Sequence, residues 1–210
     1  MTPRAALERG VGEMALTLPV GALEKLLAYL ELLAKWNRTY NLTAVRDPLQ
    51  AVTHHLLDSL AAWRELGPLA GPLADVGSGA GLPGIPVAIA EPARRVTLND
   101  ANQKKAAFLR QAVIELALPN ADVHVGRTEQ WRPQERFAVV ISRGFSSLVE
   151  FIAACSHLVA PGGVLAAMKG TRPAEELARV PARCDCSDVR RLEVPMLGAE
   201  RHLVLCRPRA

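Results

Sequence analysis

One stretch constrains this chain more than any other: Leu73-Ala-Asp-Val-Gly-Ser-Gly-Ala-Gly-Leu-Pro-Gly-Ile-Pro86. Its apolar start reads as a buried strand, Leu73 to Val76. Its end reads as a helix starting after Pro83 or Pro86, because proline suits the first helical turn, where its missing N–H costs nothing. Between them, glycines at 77, 79, 81 and 84 remove Cβ atoms, so the backbone can turn tightly and a ligand can come close. The helix start is expected to offer unpaired N–H groups and a positive dipole end, which suit a carboxylate or a phosphate. A loop that merely turns has little need of four glycines in eight residues, since each weakens the fold unless the space it leaves is used.

Two ligand classes use such a loop. Gly79-Ala-Gly81-Leu-Pro-Gly84 satisfies the G-x-G-x-x-G dinucleotide pattern, a weak signal on its own. The wider frame, Asp75-Val-Gly77-Ser-Gly79-Ala-Gly81, resembles motif I of the Rossmann-like methyltransferases. An acid at that strand end can pair, directly or through water, with the ammonium of S-adenosyl-L-methionine, and it would repel a pyrophosphate. The frame therefore favours S-adenosyl-L-methionine over a dinucleotide.

At 210 residues the chain is expected to form one compact unit, and with half its residues hydrophobic it can bury a sizeable core. No apolar run approaches the roughly 20 residues of a membrane span, and the start, Met-Thr-Pro-Arg, lacks a signal-peptide pattern. A cytoplasmic monomer is the expectation, with no membrane partner. The four cysteines, at 155, 184, 186 and 206, have no C-x-x-C spacing and no paired histidines nearby. Neither a metal site nor a disulfide framework is expected from them in a reducing compartment. The net charge of +4 (25 basic, 21 acidic) permits an anionic partner without requiring one.

Residues 1–70 read as a helical extension and 71–210 as an α/β unit. Pro19 to Tyr40 carries Leu23, Leu26, Leu27, Leu30, Leu33 and Ala34 at helical spacing, and Asn41-Leu-Thr43 ends the pattern. Asp47-Pro48 reads as a capped start of a second helix that runs to about Leu66, where Gly67-Pro68 stops it. Beyond Leu73, strands and helices alternate. Strands are expected at 95–98 (ending at Asn99-Asp100), 123–125, 137–141 and 164–168. Helices are expected at 103–116, 148–159 and 174–180, and two closing strands near 188–194 and 202–207. Such alternation predicts a parallel sheet covered on both faces, with the closing strands near enough to pair antiparallel.

Ligands of an open α/β sheet bind beyond the carboxyl ends of its strands. Four such ends carry suggestive residues: Asp75 and Gly77; Asp100; Thr128-Glu129; and Ser142-Arg143-Gly144-Phe145. Asp100, 16 residues past Gly84, lies near where an acid meets ribose hydroxyls, although a turn or cap role is the plainer reading. Thr128-Glu129 would meet an adenine edge. Ile141-Ser-Arg-Gly-Phe145 lacks the Asn/Asp-Pro-Pro-aromatic pattern used on exocyclic base amines. Methylation at pyrimidine C5 needs a cysteine near that place, and Cys155 lies in a core-like helical run. The chemistry left is methylation of an atom already nucleophilic.

The chain is similar to the small-subunit ribosomal RNA methyltransferase G family, also called glucose-inhibited division protein B. The resemblance is carried by Asn41-Leu-Thr-Ala-Val-Arg-Asp-Pro48, His55-Leu-Leu-Asp-Ser59, Asp75 to Pro86, Lys105 to Arg110, Val140-Ile-Ser-Arg143, Met168-Lys-Gly170 and Glu200-Arg-His-Leu-Val204. It implies a Rossmann-like sheet, mostly parallel with its last strand antiparallel, behind the helical extension. It implies transfer of a methyl group from S-adenosyl-L-methionine to N7 of a guanine in the 530 loop of 16S rRNA, within the small subunit or an assembly intermediate. The family's cofactor positions fall on Gly77, Leu82, Thr128, Glu129 and Arg143, with Asp75, Gly79 and Asp100 fitting the general pattern. Arg143 is the candidate at the junction of cofactor and target. Asn99 departs from the apolar residue expected there and would either bond the cofactor or simply be tolerated.

Candidates for RNA contact are Arg38, Arg46 and His55 in the helical extension, and Lys169, Arg172, Arg201 and His202 near the last strands. His55 and Asp58 share a helix face, so a mutual hydrogen bond is as reasonable as a substrate contact. Three alternatives stay open: a methyltransferase of this fold with another substrate, a nucleotide-binding protein without turnover, and a dinucleotide-dependent oxidoreductase. The last lacks a tyrosine–lysine pair, since Tyr29 and Tyr40 both precede the glycine loop.

Overall fold

The structure, a computed structural model, describes residues 1–67 and 69–209. Pro68 of the expected Gly67-Pro68 stop and Ala210, the end of the expected α/β region, lie outside the described residues.

Strands β1 (Leu73–Val76), β2 (Val96–Asp100), β3 (Ala121–Val125), β4 (Phe137–Ser142), β5 (Val159–Lys169), β6 (Cys184–Arg191) and β7 (His202–Pro208) form one sheet in the order β3-β2-β1-β4-β5-β7-β6. The first five pair parallel; β7 slots between β5 and β6, antiparallel to both. The order reverses between β1 and β4. There the connections leave in opposite directions, so a crevice opens at the carboxyl ends of the strands. The near-continuous apolar runs of β1 and β4 suit strands covered on both faces.

Helix α2 (Ala22–Tyr40) forms on the expected stripe, starting at Gly21 in the left-handed region, φ +78°. Asp47 caps α3 (Pro48–Ala51) by accepting the Gln50 N–H at 2.8 Å, and the chain continues through a wider π-helical turn, Val52–Leu57, into α4 (Asp58–Leu66). Such turns shift side-chain phase, and here the shift falls where His54 and His55 approach the sheet. A further helix, α1 (Pro3–Glu13), escapes the sequence reading. Thr2 caps it and only Ala6, Leu7 and Gly10 are buried, too sparse a stripe to register. The others are α5 (Gly84–Ala90), α6 (Gln103–Glu115), α7 (Leu148–Cys155) and α8 (Ala174–Leu177).

Leu26, Tyr29 and Leu30 of α2 and Leu60 of α4 share one apolar cluster with Leu98 of β2, Ile141 of β4 and Val164 of β5. The helical extension therefore belongs to the same core as the central strands. A second cluster, around Phe151, Ile152 and Leu158, covers the other face.

Two expectations need correction. β5 begins at Val159, not after the Pro161-Gly-Gly163 turn: Phe137 pairs with Val159 and, across a register shift, Val139 with Val164, and Gly163 lacks a Cβ that would stand 2.7 Å from the Ala138 carbonyl oxygen. And Cys186 on β6 is disulfide-bonded to Cys206 on β7. A register shift between Asp185 and Asp188 sets these two side chains together, a cross-strand meeting that cysteine spacing in sequence does not reveal.

Burial separates two apolar positions clearly. Leu26→Ala empties a fully buried site and should cost about 2–5 kcal/mol. Ile114→Ala, at a residue 72% exposed, should stay within about 0.5 kcal/mol. Urea denaturation midpoints at unchanged slope measure both, and an equal loss at the two sites would refute this account of the core.

Candidate functional site

A cavity of about 580 Å³ lies over the glycine loop at the carboxyl ends of β1 and β4. Gly77, Ser78, Gly79 and Leu82 form one wall, Arg143 and Phe145 another, and Leu42 and Thr43 lean over it from the helical extension. Gly77 and Gly79 sit at φ +66° and +59°, where a side chain is strained. A Cβ built on Gly77 would have no neighbour within 4 Å, and one on Gly79 only the Gly77 carbonyl oxygen at 3.8 Å. The absent side chains thus leave open space above the loop.

Three buried groups fix the loop from below. Asp75 is fully buried, and its Oδ2 accepts the Gly84 N–H at 2.9 Å. Its carbonyl accepts the Ser78 hydroxyl at 2.8 Å. A Cβ on Gly84 would stand 2.7 Å from Asp75 Oδ2, so only glycine admits this contact. Asp100 accepts the Gly79 N–H through Oδ2 (2.9 Å) and the Asn102 N–H through Oδ1 (2.8 Å). Tyr29 of α2, fully buried, donates its hydroxyl to the Ala80 carbonyl at 2.7 Å. The helical extension therefore grips the loop directly.

These contacts correct the expectation for the α5 start. Its first N–H is taken by Asp75, and the Ile85 N–H by the Gly81 carbonyl at 2.8 Å, so neither is offered to a ligand. Burial pushes the Asp75 carboxyl up to about 6, against the Gly84 N–H, the Ser78 hydroxyl and Arg143, which all favour its anion. Its Oδ1 has no hydrogen-bond partner among the described residues.

Asn99 turns away from the cavity. Its amide donates to the Gly126 carbonyl (2.9 Å), and its Oδ1 accepts the Thr128 hydroxyl (2.8 Å). It ties the ends of β2 and β3 together. Thr128 is buried on that bond, and Glu129 beside it is exposed.

Arg143, from the end of β4, reaches back across the crevice. Its Nη1 donates to the His54 carbonyl (2.8 Å) and to Asp58 Oδ2 (3.1 Å). Asp58 is almost wholly buried, and its other oxygen lies 3.2 Å from Arg201 Nε, a charge contact without the alignment of a hydrogen bond. One carboxylate so gathers the guanidiniums of β4 and of the residue before β7. The shared helix face left a His55–Asp58 hydrogen bond and a substrate contact equally open, and the two side chains instead take separate partners. In the structure His55 Nε2 meets the Thr43 hydroxyl at 3.0 Å, and burial, aided by the Arg143 charge, pushes its imidazole down to about 4. His55 is held neutral inside the fold.

The RNA candidates divide. Arg38, Arg46 and His55 line a second cavity of about 770 Å³ between α1, α2 and α3, with both arginines exposed and His55 buried. Asn37 clamps Thr43 by two 2.9 Å bonds, and Thr43 lines both cavities. Arg172 is exposed. Lys169 is not free: its Nζ meets both oxygens of Glu176 at 2.8 and 3.1 Å, with its side chain only 13% exposed. His202 is buried with Nδ1 against the Gly170 carbonyl at 3.0 Å. Lys169 and His202 so brace the end of β5 and β7 and offer a phosphate little.

Similarity to known proteins agrees with this geometry. The sequence profile of rRNA small subunit methyltransferase G matches residues 22–204. The ribosomal RNA small subunit methyltransferase G of Ralstonia nicotianae is 50% identical over 214 residues, covering 99% of this chain and 96% of that one. Its counterpart in Methylobacillus flagellatus is 52% identical over 198 residues, covering 94% and 95%. Among solved structures, a DhpI complex (TM-score 0.57, 18% identity) covers 91% of this chain and 98% of that one. The glycopeptide N-methyltransferase MtfA (TM-score 0.57, 15% identity) covers 73% and 95%. These distant likenesses establish the fold, a Rossmann-like methyltransferase sheet preceded here by helices. The chain belongs to the rRNA small subunit methyltransferase G family.

Proposed function

We propose that this chain transfers the methyl group of S-adenosyl-L-methionine to N7 of a guanine in the 530 loop of 16S rRNA. The observation that carries the reading is the open space over Gly77 and Gly79, facing Arg143 across a cavity whose size suits a ligand of that kind. The donor, when bound, supplies an electrophilic methyl on a sulfonium. Gly77, Gly79 and Leu82, which line the cavity, would form the floor under it; by the family resemblance Asp100 would serve the ribose and Thr128-Glu129 the adenine, from outside that lining.

Guanine N7 has an in-plane lone pair and no proton to lose, so the chain has no need of a general base or a covalent intermediate. Cys155 agrees with this: it is fully buried in α7, and burial pushes its thiol up to about 12, far from a thiolate nucleophile. The residues' task is positioning, worth roughly 7–11 kcal/mol when attack geometry is held. Arg143, locked by His54 and Asp58, sets the wall between donor and base. The Arg143–Asp58–Arg201 group keeps a net positive charge suited to a phosphate. Arg38 and Arg46, across Thr43, extend that reach along the RNA.

The deciding assay is methyl transfer from labelled donor to small subunits lacking the modification, with the labelled nucleotide mapped. Label is expected at N7 of the 530-loop guanine. Gly79→Val should abolish donor binding and transfer by filling the cavity at a strained φ. Label at another nucleotide would overturn the substrate assignment, and no donor binding by the unaltered chain would overturn the whole reading.

Arg46→Ala should weaken subunit binding and flatten its salt dependence by a slope of about one, leaving donor affinity unchanged in calorimetry. A matching loss of donor affinity would remove Arg46 from the RNA surface.

Asp75 predicts a pH dependence. Its folded value, about 6, lies above the ordinary 3.8, so its contribution to stability is full below about pH 4 and is lost as pH rises through 6. Asp75→Asn keeps an oxygen for the Gly84 N–H and has no charge to desolvate. Relative to this variant, the unaltered chain should therefore lose stability between pH 4 and 7, by at most about 3 kcal/mol. Melting curves without ligand test this, and parallel pH profiles would contradict it.

A further inference from the structure

Three sulfurs converge far from the cavity just described. Cys184 and Cys186 alternate along β6 on one face, and the register shift after Asp185 turns Cys186 against Cys206 of β7. The sulfurs of all three lie within 4.8 Å of one another, with Cys184 Sγ 3.9 Å from Cys186 Sγ. None is more than 6% exposed. Cys206 pairs with Leu165, four residues from Lys169 along β5, which puts the cluster about 13 Å from the strand end that faces the crevice.

We propose that, with the Cys186–Cys206 bond reduced, Cys184, Cys186 and Cys206 form a three-thiolate site for a thiophilic d¹⁰ cation such as Zn²⁺. A tetrahedral ion with metal–sulfur bonds of about 2.3 Å sets its sulfurs about 3.8 Å apart, close to the 3.9 Å between the Cys184 and Cys186 sulfurs, while the Cys186 and Cys206 sulfurs must separate once their bond is reduced. Strand pairing fixes the three Cα positions, so few degrees of freedom remain to be ordered. A cavity of about 430 Å³ opens beside Cys184 and Cys186, lined also by Asp185 and Ser187, and leaves a route in and room for a fourth ligand, water or a carboxylate oxygen. Arg183 and Arg209 lie near enough to Cys184 to offset part of the anionic charge such a site carries, against the neighbouring Asp185 carboxylate. Burial works the other way and holds the Cys184 thiol protonated, so uptake must release protons.

The loading sequence balances. A phosphine reductant gives two electrons to the Cys186–Cys206 bond, and one water supplies the two protons that complete the thiols and the oxygen with which the phosphine leaves as its oxide; a dithiol instead hands over its own two protons and leaves as its disulfide. Metal binding then displaces three thiol protons and forms three metal–sulfur bonds. Sequence reasoning discounted a metal because no C-x-x-C spacing is present. The ligands come instead from C-x-C on one strand and a single cysteine on its antiparallel neighbour.

The test uses the full chain reduced anaerobically with a phosphine and titrated with Co²⁺, then Zn²⁺. One equivalent of Co²⁺ should give near-ultraviolet sulfur-to-metal charge transfer and the visible bands of tetrahedral coordination. Zn²⁺ should bleach both and raise the melting temperature. Cys184→Ser should lower affinity by more than the roughly 10–100-fold typical of losing an outer-shell partner. Cys155→Ser, in the separate α7 site, should leave binding unchanged. Cys184→Ala repeats the test, and circular dichroism shows whether each variant keeps its fold. Absence of charge transfer in the reduced, folded chain would overturn the proposal, as would full-strength binding by folded Cys184→Ser or Cys184→Ala.

Discussion

The site rests on one contact between a buried carboxylate and a backbone amide, Asp75 Oδ2 to the Gly84 N–H. Burying an acid costs heavily unless its oxygens find donors. Here the donor is the first amide of α5, and the contact is possible only because Gly84 has no side chain. The strand, the loop and the helix are pinned at a single point, and the bends at Gly77 and Gly79 follow from that closure. Asp100 and Tyr29 then fix the loop from the neighbouring strand and from α2. The open space above Gly77 and Gly79 is thus built by groups that do not line it.

A second carboxylate, Asp58, performs a similar service for the opposite wall. An arginine at a strand end has many rotamers; Arg143 is restricted by the His54 carbonyl and by Asp58, both on the helical extension. Removing Asp58 would leave the Arg143 and Arg201 side chains, 27% and 23% exposed, as like charges with no carboxylate between them. Asp58 is therefore more than a helix-face residue. Its loss would release Arg143 and Arg201 together.

The strand ends and the glycine loop were legible because both follow from local rules: apolar runs, the space left by a missing Cβ, and proline at helix starts. The antiparallel closing pair followed from the short connection between its strands. What could not be read was which distant group each charge would meet. Asp58 and Arg143 stand 85 residues apart, and no spacing rule joins them. Lys169 reads in sequence as a free cation, and only the fold brings Glu176 onto it. Asn99, a departure from the expected apolar residue, finds its reason in Thr128 and Gly126, partners that exist only once β3 lies beside β2. The cysteines failed for the same cause, since a register shift between strands is invisible along one of them.

The placement of β7 has a consequence for how this molecule is made. The last strand along the chain is an interior one, inserted between β5 and β6. Arg201, just before it, completes the charge cluster on Asp58. The pairing of β7 with β6 is local, but its pairing with β5 and the Asp58–Arg201 contact must close longer loops before they reward the chain, which slows them. A nascent chain ending at Arg191 would hold the glycine loop, α2 and Arg143, yet leave a gap where β7 belongs and β5 unpaired along one side. The finished wall of the crevice can appear only once β7 has been made and has slotted between β5 and β6.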